Sequence, residues 1–284
     1  MPNTVYNFDE GLGSAVSPEQ WAQFVLDHLS HESVVLASGA RRVDTHSKLI
    51  HIPRLTDDGS VDWFAELEEI TTDSPAGDDL VLTPKKVAAL TLLSNEVVLD
   101  SDPAALNVVG QAMLRAIAIE IDRAIFHGAG GTAPLGILET STTTGFTPLP
   151  DQAGPVGYEA LVRAAGQVSA AGGRPDVAYI HPTDHVALQL AAGGDDRPLI
   201  TGDASQGAPP VVAGLRLYIT PALEAGEALV AQADQVVVAI RRDASVEFSS
   251  DYAFERDGTA ARVIARVDAG VNDSGGLCHI QTGS

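Results

Sequence analysis

The chain has 284 residues, of which 45% are apolar, enough to bury the core of one large domain or two smaller ones. Seventeen basic residues stand against 38 acidic residues, giving a formal charge of −21. Because phosphate contacts need clustered lysine and arginine, this balance argues against a surface built to bind nucleic acid. The single cysteine, Cys278, excludes intrachain disulfides. The first residues lack the basic and apolar segments of a signal peptide, so we expect synthesis in the cytoplasm.

Residues 1–16 are predicted to form an arm, which a short helix follows. The first sixteen residues are polar and lack an apolar core of their own. Ser17 can cap a helix that places Trp21, Phe24 and Leu29 on one face. This helix therefore needs an apolar surface, its own or a neighbour's.

A strand at 47–55 and the strand that returns after it are predicted to form a long hairpin. Ile50 and Ile52 lie on one face of a strand, and the chain returns as a strand through residues 80–82 and 87–93. The span between them, residues 56–79, carries nine acidic residues and no basic residue. Connections of this length are usually functional. The span is interpreted either as an active-site lid or as an arm that reaches another subunit.

A single long helix is predicted from Pro103 to His127, which would be about 37 Å long at 1.5 Å per residue. Ser101 or Asp102 can cap its start, and the glycines after His127 end it. A narrow polar stripe is expected at Asn107, Gln111, Arg115, Glu120, Asp122 and Arg123. Apolar residues at helical spacing should bury most of the circumference, namely Leu106, Val109, Met113, Ile117, Ile121 and Ile125. The charged residues exclude a transmembrane helix.

The remainder of the chain is predicted to be a mixture of helices and strands. A helix is expected from Gly157 to about Ala171, and a second, short helix from Thr183 or Asp184 to Leu190. The loop at 191–210 is rich in glycine, aspartate and proline and is expected at the surface. Residues 272–284 are expected to form a polar tail. Strands are predicted at 177–181, 215–219, 228–230, 236–240, 245–248 and 261–267.

Two histidines have the spacing of metal ligands on a helix turn, His181 and His185. Pro182 lies between them, and the glutamate of a zinc-protease motif is missing, so the pattern favours structural roles. A hydrolase that uses the region of His181 and Asp184 stays open as an alternative of a different class.

Other patterns give little support to catalysis. The Gly-Ala-Gly-Gly run at 128–131 follows a helix instead of opening one, so it predicts a turn and not a phosphate site. The acidic span lacks the ligand spacing of a calcium loop, which favours a solvated or contact-forming face. No nucleophile-elbow motif is present, and one cysteine near the end of the chain gives a Cys–His nucleophile little support. We therefore predict no enzyme and no catalytic, cofactor-binding or metal-binding residue.

Four stretches, in this order, resemble the major capsid protein family of tailed bacteriophages, which has the Hong Kong ninety-seven type fold. No single stretch is specific, but the four together cover about residues 45–270. They are LTPKKVAAL at 82–90 with SNE at 94–96, DRAIFHGAG at 122–130 with PLGIL at 134–138, IHPTDH at 180–185 with RPL at 197–199, and GL at 214–215 with TPAL at 220–223 and RDASV at 242–246.

The resemblance implies an α+β fold divided in a particular way. It places an N-terminal arm at 1–45, an extended loop at 46–85 and a tail at 271–284. A peripheral domain would hold residues 86–174 and 243–270, with the long helix as its spine, and an axial domain would hold residues 175–242.

The resemblance also implies a function. The chain would be a structural subunit that assembles with itself into hexamers and pentamers of an icosahedral head around double-stranded DNA, without binding a specific DNA sequence. It would reside in the virion after assembly in the host cytoplasm, with no membrane contact. Separate scaffolding, portal and decoration proteins are the expected partners. An encapsulin, a shell of the same fold that encloses a cargo enzyme, stays as the alternative.

Two departures from the family pattern qualify this expectation. Some members cross-link their subunits through a lysine of the extended loop, but residues 55–84 contain no lysine. We therefore expect a shell held by non-covalent contacts. The residues before the matching region are also too few for a cleaved scaffold segment. Either scaffolding is supplied by a separate protein or the chain is already processed, and the initiating Met1 favours the former.

Overall fold

The computed structural model describes residues 33–55, 63–64, 66, 77–95, 104–139, 149–153, 155–191 and 210–283. The predicted helix of the arm, most of the acidic span, the capping residues before the long helix and most of the loop at 191–210 lie outside the described residues. Within the described ranges the chain forms four α-helices and twelve strands.

The helices are α1 (Val34–Ala37), α2 (Ala104–His127), α3 (Tyr158–Ala170) and α4 (Pro182–Leu190). The strands are β1 (Arg41–Thr45), β2 (Ile50–Leu55), β3 (Gly77–Leu82), β4 (Lys85–Ser94), β5 (Leu149–Ala153), β6 (Val177–Ile180), β7 (Val211–Val212), β8 (Leu215–Ile219), β9 (Glu227–Ala231), β10 (Val236–Ala253), β11 (Gly258–Val271) and β12 (Leu277–Gly283). Short 3₁₀ turns precede β10, β11 and β12.

A four-stranded sheet has the order β1-β10-β11-β4. β1 runs parallel to β10, and the other two pairings are antiparallel. The two predicted strands at 236–240 and 245–248 are one strand, β10, because a register shift between Arg241 and Ser245 carries the pairing with β11 across the polar residues. β4 is an edge strand of this sheet among the described residues.

A six-stranded sheet has the order β5-β12-β9-β6-β8-β7. Its second strand, β12, contradicts the prediction of a polar tail after residue 271. Cys278 and Ile280 are fully buried there, and β12 pairs with β5 on one side and with β9 on the other. The residues looked polar because His279 interrupts the apolar run, but His279 is itself buried against Glu227.

The main core lies around α2. Its apolar side chains pack against the inner residues of β10 and β11 and against one face of the six-stranded sheet, including Tyr179 and Leu229. The other face of the six-stranded sheet is covered by α3 and by Leu188 of α4. Thus β5 and α3, which were placed in the peripheral domain, pack on the same sheet as β6, β8 and β9.

The long helix ends at His127 as predicted, and its predicted apolar face is buried at Met113, Ile117, Ile121 and Ile125. The expectation that most of its circumference is buried is wrong for the described side chains. In the isolated subunit, exposed residues occupy the side opposite this face, namely Gln111, Ala112, Arg115, Ala116, Ile119, Glu120 and Arg123.

Asp122, which was assigned to the polar stripe of α2, is also buried. Its carboxylate accepts hydrogen bonds from the Ser33 hydroxyl (2.5 Å) and from the Val34 N–H (2.8 Å), at the start of α1. Burial raises the pKa of Asp122. The residue therefore ties residues 33–34 of the predicted arm to α2.

Candidate functional site

The predicted hairpin is present as the antiparallel pair β2 and β3. Ile50 lies opposite Leu82 and Ile52 lies opposite Leu80. We call these four residues the hairpin root. They share one apolar face, as the alternating pattern of β2 predicted.

The hairpin root packs on the face of the four-stranded sheet that is opposite α2, which we call the outer face. Ile52 and Leu82 are buried against Val237 and Ala239 of β10. Gly270 of β11 makes this approach possible, because a Cβ at this position would lie 2.9 Å from methyl carbons of Leu80 and Leu82. A glycine inside a strand is a signal for such a close approach, and it could have located the contact from the sequence.

Asp268 fixes the chain between β3 and β4. Its carboxylate accepts hydrogen bonds from the N–H groups of Thr83 (2.5 Å) and Ala269 (3.0 Å). Asp268 is buried, and this burial raises its pKa although both hydrogen bonds act in the opposite direction. An acceptor at this position holds the turn against the outer face.

Arg54 fixes the hairpin farther from its root. Its guanidinium donates to both oxygens of Asp78 on the paired strand, at 2.5 and 2.8 Å, and to the carbonyl of Val271 at 3.1 Å. The hydrogen bond with Arg54 lowers the pKa of Asp78, and the same contact raises the pKa of Arg54. The two-pronged geometry makes this contact directional as well as charged. Sequence reasoning did not single out Arg54 or Asp268.

The face of the hairpin that points away from the sheet is exposed in the part of the chain that the structure describes. Val81 is 47% exposed, and Leu49, just before β2, is 46% exposed. The outer face also remains open along β4, where Leu90 is 55% and Leu92 is 46% exposed. A two-stranded ribbon cannot bury both of its faces against its own sheet. The hairpin and the β4 surface are therefore candidate contact surfaces.

The turn after α2 is as tight as its glycines predicted. Gly130 and Gly131 have positive φ angles of 77° and 72°, and Ala129 forms an isolated bridge with Leu135. The chain returns against the helix end, where the Ile137 N–H donates to the carbonyl of Ile125 at 2.7 Å. This turn is not a phosphate loop, because it closes a helix with its own backbone hydrogen bonds.

His181 and Asp184, which were considered for catalysis, accept hydrogen bonds from backbone N–H groups. His181 is the N-cap of α4, and its Nδ1 accepts from the Thr183 N–H at 3.2 Å. The Asp184 carboxylate accepts from the N–H groups of Val156 (3.4 Å) and Gly226 (2.7 Å). His185 lies on α4, and burial lowers its pKa. This arrangement uses the carboxylate of Asp184 for structure and not for orienting a nearby imidazole.

In the part of the chain that the structure describes, no group of three or more histidine, cysteine or acidic residues is arranged to hold a metal ion. No helix there combines the length and apolarity needed to cross a bilayer.

Comparison with known proteins gives a family match over most of the chain. The model of the phage capsid family matches residues 13–282. The major capsid protein of Klebsiella oxytoca phage phiKO2 is 25% identical over 133 residues, which make up 46% of this chain and 31% of that relative. The matched part therefore spans less than a third of the relative's length.

Solved structures share the fold over nearly the whole chain. A chain of Mycobacterium phage Adephagia has a TM-score of 0.69 at 20% identity, covering 89% of this chain and 90% of the other. A chain of Microbacterium phage Oxtober96 has a TM-score of 0.71 at 17% identity, covering 88% and 91%. The capsid of a native GTA particle has a TM-score of 0.66 at 16% identity, covering 88% and 90%. At these identities the likeness establishes the fold.

Proposed function

The chain belongs to the phage capsid family, whose model matches residues 13–282, and we propose that it is the major capsid protein of a phage head. Many copies would associate as hexamers and pentamers of an icosahedral shell around double-stranded DNA. Its place is then the virion, and its role is structural and not enzymatic. Synthesis and assembly would take place in the host cytoplasm.

The observation that carries this proposal is the hairpin. Its root is buried on the outer face, whereas the opposite face of the hairpin and the neighbouring surface of β4 expose leucine and valine side chains. Exposed apolar surface of this kind marks contacts with other protein chains. In a shell, the hairpin of one copy would cover the surface of the next.

We also propose a division of labour between the two sheets. The four-stranded sheet, α2 and the hairpin would form the peripheral part of the subunit. The six-stranded sheet with α3 and α4 would form the axial part around the symmetry axis of each hexamer or pentamer. This assignment moves β5, α3 and β12 into the axial part, because they pack on its sheet.

The formal charge of −21 supports enclosure of DNA without adsorption to it. Like charges repel, so an acidic inner surface would not retain DNA during packaging or ejection. Separate scaffolding and portal proteins, together with decoration proteins, are proposed as partners. The named relatives come from phages and a GTA particle, which favours a phage head over the encapsulin alternative.

Electron microscopy of purified particles tests the proposal. We expect a protein of 29.5 kDa to be the most abundant component of DNA-filled icosahedral heads, and its density should fit the two-sheet subunit. Heads built from another protein would overturn the proposal. Particles that lack DNA and contain a cargo enzyme would support the encapsulin alternative instead.

A further inference from the structure

Three titratable side chains from three elements meet where the end of α2 touches the six-stranded sheet. His127 Nε2 on α2 lies 2.7 Å from Glu227 Oε2 on β9, and His279 Nε2 on β12 lies 2.8 Å from Glu227 Oε1. The side chains of Glu227 and His279 are each 8% exposed, and that of His127 is 24% exposed. We call these three residues the His–Glu–His clamp.

The clamp joins two parts of the subunit. His127 is the last residue of α2, and the tight turn at 128–138 follows it directly. Glu227 and His279 lie on adjacent strands, β9 and β12, of the six-stranded sheet. One buried carboxylate and its two histidine partners therefore link the helix end to this sheet, beside the apolar contact of Phe126 with Tyr179.

The charge of the clamp depends on how many protons its histidines carry. With both imidazoles neutral, the buried carboxylate has no counter-charge, although each Nε2–H can still donate a hydrogen bond. One additional proton neutralises the cluster and makes one hydrogen bond charge-assisted, which strengthens it. A buried charge without a partner is strongly unfavourable, so the neutral form of the cluster is preferred.

We propose that the His–Glu–His clamp is a pH-sensitive coupling that holds the end of α2 firmly against the six-stranded sheet in mildly acidic solution and loosens as the pH rises above neutrality. The proposal concerns the folded subunit itself and does not depend on the role of the protein in a shell.

The surroundings of His127 favour its protonated form. The hydrogen bond with Glu227 raises the pKa of His127 above its usual value of 6.5, and the negative charges of Glu224 and Glu139 act in the same direction. Stabilisation by this protonated histidine is therefore complete below pH 6.5 and is lost as the pH rises through the raised pKa.

Protonation of Glu227 sets the lower limit of the pH range in which the clamp stabilises the subunit. Burial acts to raise its pKa, but the hydrogen bonds with His127 and His279 and with the Glu224 N–H outweigh it, and the pKa falls to about 2. Stabilisation by the carboxylate is present above its usual pKa of 4.5 and is lost as the pH falls toward 2. The clamp is therefore strongest between about pH 4.5 and 6.5.

Thermal unfolding of the full chain between pH 5 and 8.5 tests the proposal. We expect the wild-type Tm to fall as the pH rises, and His127→Gln to have a lower Tm at pH 5.5 with a much flatter pH dependence. His51→Gln is the matched control, since His51 forms an exposed pair with Asp79 on the hairpin. Its Tm should follow the wild-type curve. Parallel curves for wild type and His127→Gln would overturn the proposal.

Hydrogen–deuterium exchange of the wild-type protein supplies a measurement that needs no variant. After correction for the intrinsic effect of pH on exchange, protection at residues 124–138 should fall as the pH rises from 6 to 8.5, by up to about tenfold for each unit by which the pKa of His127 lies above 6.5. Protection in α3, which packs on the other face of the sheet, should stay constant. Equal changes in both segments, or none, would contradict a local clamp.

Discussion

At the residue scale, Gly128 occupies a position where no side chain fits. A Cβ at this residue would lie 2.2 Å from the carbonyl oxygen of Pro134 and 2.5 Å from that of Ala124. Both atoms belong to the backbone, so neither can move aside without opening the turn after α2. The glycine is therefore required by packing and not only by the turn conformation.

We expect Gly128→Ala to lower the free energy of unfolding by about 2–3 kcal/mol, because overpacking displaces the backbone. Gly110→Ala, within α2, is the matched control, since a Cβ there meets no atom within 4 Å. It should stabilise the protein by roughly 0.5–1 kcal/mol through the helix preference of alanine. Urea unfolding measures both changes, and equal effects of the two substitutions would contradict the close contact at Gly128.

At the scale of single elements, the hairpin is attached by its apolar root and by Arg54. We expect Arg54→Ala to leave the Tm nearly unchanged, because a partly exposed ion pair contributes little to global stability. Exchange of the amides of β2 and β3 should nevertheless become faster, because the contacts with Asp78 and Val271 are lost. The yield of particles should fall if the hairpin contacts a second copy.

Arg163→Ala is the matched control for the hairpin experiment. Arg163 pairs with Glu159 on the exposed side of α3, away from the hairpin. This variant should show wild-type exchange in β2 and β3 and a normal particle yield. If Arg54→Ala behaves in the same way, Arg54 does not fix the hairpin.

The helix α2 allows a second test at this scale. Ile117 is 2% exposed in the core, whereas Ile119 on the same helix is 38% exposed. We expect Ile117→Asp to destabilise the subunit by about 4 kcal/mol or more, since it buries an unpaired charge, and to abolish soluble assembly. Ile119→Asp should leave the isolated subunit folded by circular dichroism. Normal particles from Ile117→Asp would refute the placement of this helix in the core.

Periodicity was sufficient to predict the elements whose apolar residues repeat regularly. The end of α2, the pairing of the hairpin strands and the presence of the helices α3 and α4 are confirmed from such patterns. The predicted cap of α4, Thr183 or Asp184, is wrong, because His181 caps a helix that begins at Pro182. β12 was missed because its buried polar residue, His279, is compensated by Glu227 from a distant part of the chain. The exposed side of α2 includes Gln111, Arg115, Glu120 and Arg123 of the predicted polar stripe, but it is wider than that stripe. Its members Ala112, Ala116 and Ile119 were missed because hydropathy alone does not separate an exposed apolar residue from a buried one.

The contacts of the candidate site were harder to predict than its elements. The sequence predicted the hairpin strands, and the structure pairs them in register. It did not predict that Gly270 of β11 receives the hairpin root or that Asp268 accepts a hydrogen bond from the Thr83 N–H, because these contacts join residues that are far apart in the chain. The alternation of apolar and polar residues predicts which side chains of a strand share one face. It does not predict which part of the chain that face packs against.

At the scale of the whole molecule, the scarcity of lysine predicts how particles dissociate. Residues 55–84 contain no lysine whose amine could form a covalent bond with a neighbouring subunit. We therefore expect mature particles, boiled in detergent, to give a single band at 29.5 kDa on denaturing electrophoresis. Particles treated with an amine-reactive cross-linker serve as the control for detecting a ladder. A ladder from untreated particles would show that the subunits are covalently joined.

The pairing pattern of the four-stranded sheet has a kinetic consequence. Arg41 lies beside Val237, and Ser94 lies opposite Gly258, so both outer strands join residues from distant parts of the chain. Only the pairing of β10 with β11 is local. Sheets dominated by long-range pairing form slowly, because the intervening chain must lose entropy before the contacts stabilise it. Until β1 joins this ribbon, the surface on which the hairpin packs lacks Val43. Folding of the subunit therefore sets the earliest moment at which its hairpin can be presented to another chain.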